Sequence, residues 1–121
     1  MKRGDVVVIV AHGDLGRPRP AVIVQADELG GTTTTVLVCP ITSDVTEKLP
    51  IRPIVEADAS NGLRIRSQIM TDKMLALRRD RIKRVVGSLD SESVDDLDRA
   101  LLIELGLARL PNPSVSSYTI R

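Results

Sequence analysis

Three runs of β-branched and apolar residues within the first 43 positions restrict this chain to a small, strand-rich domain. Asp5 to Ala11 carries Val6, Val7, Val8, Ile9 and Val10 in succession, and the turn formers Gly13, Asp14 and Gly16 follow it. The run therefore reads as a buried strand entering a loop. Arg17-Pro18-Arg19-Pro20 comes next, where the prolines disfavour helix and stiffen the path into a second strand, Ala21 to Gln25. Gly30-Gly31 makes another turn, after which Thr32 to Thr42 forms a third strand of Thr, Val and Leu. Strands joined by such short loops point to a small antiparallel barrel or sandwich. A chain of 121 residues buries one core, and with no Phe and no Trp that core must be built from Val, Ile and Leu.

The segment Leu63 to Asp72 sorts by period two. Leu63, Ile65, Ser67, Ile69 and Thr71 fall on one face of a strand, expected to be core, and Arg64, Arg66, Gln68, Met70 and Asp72 on the other, expected to be charged. Arg81 to Leu89 reads as a further strand, preceded by a helical turn near Arg79 to Ile82. Asp90 or Ser91 can cap a helix whose first turns hold Glu92, Asp95 and Asp96, acids that suit the positive end of the helix dipole. Val94, Leu97, Leu101 and Leu105 share one face of it, and Gly106 is the stop. Residues 1 to 108 thus form the domain, and 109 to 121, rich in Pro, Asn and Ser, read as a flexible tail that needs an outside surface to become ordered.

Charge is unevenly spread. Arg64 to Arg84 holds eight basic residues against Asp72 and Asp80, whereas Val85 to Leu105 holds six acids against Arg99. A basic middle beside an acidic helix makes a polarised surface suited to a polyanion on one side. No run approaches the roughly 20 apolar residues needed to cross a bilayer, and the N-terminus lacks a signal-peptide pattern, so the expected location is the cytoplasm. Cys39, the only cysteine, lies among apolar neighbours and is expected to be a packed thiol. One His, one Cys and no close-spaced carboxylate cluster offer no metal set, and no cofactor is expected.

Met1-Lys2-Arg3-Gly4-Asp5-Val6 resembles the opening of MazF/PemK toxins, and Arg17-Pro18-Arg19-Pro20-Ala21-Val22-Ile23-Val24 resembles their second strand. Pro40-Ile41-Thr42-Ser43 is similar to the end of the family's third strand, Ser67-Gln68-Ile69-Met70-Thr71-Asp72-Lys73 to its central strand, and Asp98 to Leu107 to its C-terminal helix. The blocks run in family order from residue 1 to about residue 108. The resemblance implies an SH3-like barrel with a C-terminal helix, a homodimer, a cognate antitoxin, and metal-independent cleavage of single-stranded RNA by attack of the ribose 2′-hydroxyl on the adjacent phosphorus. Many members carry an Arg in the central strand where this chain has Met70, which makes Arg64, Arg66 and Lys73 the candidates for a second phosphate contact.

That reaction needs a group to take the 2′ proton, positive charge to steady a crowded phosphorane, and a proton for the departing 5′ oxygen. With the resemblance, Arg19 is the candidate for the cation, since a guanidinium forks two hydrogen bonds to phosphate and keeps its charge. Arg17 competes with it, or steadies the RNA backbone. Thr42 can donate its hydroxyl to a phosphate oxygen, with Ser43 assisting, unless these hydroxyls only cap a turn. Gln68 is a candidate for reading a base edge, and Asp72 for orienting an Arg or accepting a proton; a structural hydrogen bond or salt bridge is the alternative for both. His12, the one imidazole, lies in the first loop with a titration range suited to proton transfer. Since the barrel region lacks aromatic rings, base stacking falls to Arg planes, Met70 or Tyr118. Two other functions compete: a non-enzymatic poison on the same fold, as in the CcdB proteins that jam gyrase, and an RNA-binding module without activity. The absence of the CcdB-type terminal Trp counts against the first.

Overall fold

The computed structural model describes residues 1–11, 13, 16–47 and 51–109. The expected His12 contact and, apart from Arg109, the expected tail 109–121, Tyr118 included, lie outside them. Among the described residues seven strands and one α-helix follow in order: β1 (Asp5–Ile9), β2 (Arg19–Ile23), β3 (Thr35–Thr42), β4 (Ile54–Val55), β5 (Ser67–Ile69), β6 (Leu75–Arg78), β7 (Ile82–Ser88) and α1 (Ser91–Glu104). The strands form one antiparallel sheet in the order β4-β5-β3-β2-β1-β7, with β6 also pairing β3. The expected mainly β architecture, curled into a half-barrel and closed by a C-terminal helix, is the one observed.

Alternate residues of the first three strands enter two different apolar clusters. Val6, Val22, Cys39 and Ile41 pack with Ile69 and with Leu97 and Leu101 of α1, while Val7, Ile9, Ala21, Ile23, Val36 and Val38 pack with Leu77. Both faces of these strands are therefore buried, which is why they read as unbroken apolar runs rather than as alternating ones. Arg3 ties this core to the helix: its Nε donates to the Val24 carbonyl at 2.9 Å and its Nη1 meets Asp98 Oδ1 at 2.6 Å. Asp90, not Ser91, caps α1 by accepting from the Ser93 amide at 2.8 Å, and that bond holds its carboxyl below the usual range. Gly106, at φ +75°, ends the helix in the left-handed conformation expected of a stop.

Three expectations fail for identifiable reasons. The long strand Leu63 to Asp72 shrinks to Ser67–Ile69, because Thr71–Lys73 winds into a 3₁₀ turn and the residues before Ser67 leave the sheet, so Ile65 is 60% exposed rather than core. Leu105 is 56% exposed because it lies past the last turn of α1. The basic side chains from Arg64 to Arg84 do not make one continuous face. Arg78 pairs opposite Thr35 at the start of β3, and Arg79 donates to the carbonyls of Gly30 and Thr33. Thr42, at the other end of β3, is seven residues and about 23 Å of strand away.

Burial pushes the Cys39 thiol up to about 12. The native protein at pH 8 should therefore resist a thiol reagent that labels it within minutes in denaturant. Equal labelling rates in the two states, followed by absorbance of the released chromophore, would contradict this burial.

Candidate functional site

β1 and β2 align Ile9 with Arg19, and β2 and β3 align Ala21 with Pro40. The β2–β3 pairing itself ends at Ala21 and Pro40; continued two residues in the same register, it would bring Arg19 opposite Thr42, which β3 aligns with Gln68. In that continuation Ile9 and Arg19, paired across β1 and β2, line up with Thr42, Gln68 and Ile54, paired across β3, β5 and β4, on the same side of the sheet. Directly opposed residues in such a row have Cβ atoms about 5 Å apart. Ile9 ends β1, Arg19 begins β2 and Thr42 ends β3, so the row runs along a rim of the half-barrel. Arg19 is exposed there and Thr42 half-buried.

The Thr42 hydroxyl oxygen accepts from the Asp44 amide at 3.0 Å. A hydroxyl has two acceptor positions and one proton, so the turn-capping role does not compete with donation of that proton outward. Ser43, next in the chain, and Arg17, two residues before Arg19, are both exposed at this rim. Met70 is half-buried, and its amide donates to the Pro40 carbonyl at 2.9 Å, two residues inward from Thr42. Arg64 and Lys73 are exposed on either side of β5. Arg66 is also exposed, but its guanidinium lies 2.9 Å from Glu56 and 3.7 Å from Glu47.

Gln68 does not lie on a charged outer face. It is only 1% exposed, because the segment after β3 covers it. Its Oε1 accepts from the Thr46 amide at 3.0 Å, and its Nε2 donates to the carbonyls of Thr46 and Arg52 at 2.8 and 2.9 Å. Thr71 adds a bond to the Ile51 carbonyl. With its amide so occupied, Gln68 is not placed to read a base edge. Asp72 likewise faces Arg52 rather than an open site: both carboxylate oxygens receive guanidinium hydrogen bonds, at 2.7 and 2.8 Å. That pairing lowers the Asp72 pKa and raises that of Arg52, which makes Asp72 a poor proton acceptor. Arg52 escaped the sequence reading because it stands outside the basic stretch, 20 residues from its partner. Among the described residues no three His, Cys, Asp or Glu side chains gather as a metal-binding group.

Because its folded pKa lies below the ordinary 3.8, Asp72 stabilises the fold above that pH, and the contribution is lost as pH falls through the depressed value. Asp72→Asn should flatten the acid limb of a denaturation-midpoint profile and cost under about 1 kcal/mol at pH 7, since the pair is partly exposed to solvent. An unchanged acid limb would show that the ion pair does not act.

Comparison with known proteins gives these features a context. Residues 2–105 match the family described as PemK-like, MazF-like toxin of type II toxin-antitoxin system. The chain is 36% identical over 109 residues to the probable endoribonuclease MazF of Mycolicibacterium smegmatis, spanning 89% of this chain and 99% of that one. It is 32% identical over 113 residues to endoribonuclease EndoA of Bacillus subtilis, spanning 88% and 96% respectively. In fold it resembles an endoribonuclease solved in complex with its cognate antitoxin from Mycobacterial species, with a TM-score of 0.75, 19% identity, and 91% and 99% of the two chains covered. The family match takes in all seven strands, the Arg19–Thr42 row and the whole of α1, and on that ground the chain belongs to the PemK-like, MazF-like toxins of type II toxin-antitoxin systems.

Proposed function

We propose that this toxin is an endoribonuclease that cleaves single-stranded RNA without a metal ion at the rim where Arg19 and Thr42 stand opposite each other. What supports the reading is the register: Arg19 starts β2 and Thr42 ends β3, and the β2–β3 pairing continued to the rim puts the two residues on the same side of the sheet. A phosphate seated between them receives charge-assisted hydrogen bonds from Arg19 and the hydroxyl proton of Thr42. Both contacts strengthen as negative charge builds on the phosphorane formed when the 2′ oxygen, giving up its proton, attacks phosphorus; breaking the bond to the 5′ oxygen, which leaves with a proton, yields a cyclic phosphate. The role of Arg19 is electrostatic, since a guanidinium offers hydrogen-bond donors and no acceptor. Ser43 supports Thr42, and Arg17 holds the neighbouring backbone phosphate. Arg64 and Lys73 extend the cationic track along β5, Arg66 joins it only by leaving Glu56, and Met70 adds apolar contact for a base rather than charge.

The RNA path is also the natural target of regulation. An antitoxin segment laid across Arg17, Arg19 and Arg64 competes with RNA for the same guanidinium groups. The active form is a homodimer, residues 1 to 108 make up the toxin domain, and 109 to 121 are a tail. Among the described residues no helix is long and apolar enough to cross a membrane. The cytoplasm is the proposed site of action, as the compartment of the RNA substrate.

Incubating the purified chain with mixed-sequence single-stranded RNA in excess EDTA tests this directly. The parent should give discrete cuts. Arg19→Ala should slow cutting by on the order of a hundredfold or more, and Thr42→Ala by about tenfold or more, the scale seen when one transition-state donor is removed. A folded, antitoxin-free parent that leaves varied RNA intact would overturn the ribonuclease reading. Cutting that survives Arg19→Ala would move the cation to Arg17.

A further inference from the structure

We propose that Gln68 is a positioning residue for RNA cleavage, acting through Thr42; this rests on the ribonuclease reading above. Thr42 is the last residue of β3, and the described residues between it and β4, 43–47 and 51–53, carry no strand. The direction of the Thr42 hydroxyl is tied to the turn that follows it, because the oxygen accepts from the Asp44 amide. That turn is in turn tied to the position of Thr46. Gln68 holds Thr46 at two points, by its amide and by its carbonyl, and holds the returning chain at the Arg52 carbonyl.

The same residue sits directly across the sheet from Thr42. Its backbone thus lies beside the strand that presents the hydroxyl, while its side chain fixes the turn that aims it. A polar side chain almost fully buried, with one acceptor and two donor contacts engaged, is a costly device for merely closing a loop. Its placement one strand from the reacting phosphate gives it a consequence for rate, since small errors in the placement of a donor cost large factors in the chemical step.

The distinguishing measurement is steady-state cleavage of a defined single-stranded RNA by the full chain, with kcat and KM separated. Gln68→Met keeps the length of the side chain and removes its hydrogen bonds. It should lower kcat by about tenfold to a hundredfold while KM stays within about threefold, because RNA contacts at Arg17, Arg19 and Arg64 are untouched. In a Thr42→Ala background the same change should lower kcat by less than about twofold, since the group it positions is already gone. Gln68→Asn, which only shortens the reach of the amide, should show the same pattern more weakly and serves if the Met variant does not fold. A parent that cleaves while both variants keep parental kcat would overturn the proposal and leave the ribonuclease reading standing. An equal loss with and without Thr42 would also overturn it, showing a structural role only. A folded parent that cleaves nothing would bring down both.

Discussion

The register of β3 is the constraint on which the rest of the molecule depends. On one edge it pairs β2, and on the other it pairs β6 along its first half and β5 along its second. A shift of one residue against β2 would turn Val36 and Val38 of β3 out of one cluster and Cys39 and Ile41 out of the other. Since both faces of the strand are buried, apolar packing pins the register from two sides. Continued to the rim, the same pinning would set Thr42 against Arg19, so the proposed site owes its placement to the core.

The polar groups around that rim divide into those held by the protein and those left to face solvent. Gln68 and Thr71 are spent on the backbone of the segment after β3, and Asp72 on Arg52. Arg66 shares its charge with exposed carboxylates, an arrangement of little stabilising value that an incoming phosphate can displace. The scaffold residues keep the chain end behind Thr42 in place, and the cations nearby supply charge without themselves being buried. Such a division suits a polyanion that must bind, react and leave.

Much of the fold was legible in the sequence. β1, β2, β3, β7 and α1 each carry a run or a period long enough to identify, and Gly106 and Asp90 mark the helix ends. β4 has two residues and β6 four, too short for any period to stand out. In β5 the alternation was read correctly as two faces, but the second face is covered by a segment more than 15 residues earlier in the chain, and no local pattern reports such a covering. Counting charge along the chain likewise misjudged the basic stretch, because the path from β5 through β6 carries Arg78 and Arg79 to the far end of β3. Arg19 and Thr42 emerged only through resemblance to relatives; an Arg between two prolines and a Thr at a strand end have no signature of their own.

The central claim, that RNA lies on the Arg19–Thr42 rim, is tested most directly by amide chemical-shift mapping in the presence of an RNA carrying a 2′-deoxy nucleotide at the scissile position, which binds without being cut. The account predicts the largest shifts at Arg17, Arg19, Thr42, Ser43 and Asp44, with Arg78 and Arg79 at the opposite end of β3 unmoved. Shifts concentrated at Arg78 and Arg79, with the rim silent, would contradict it.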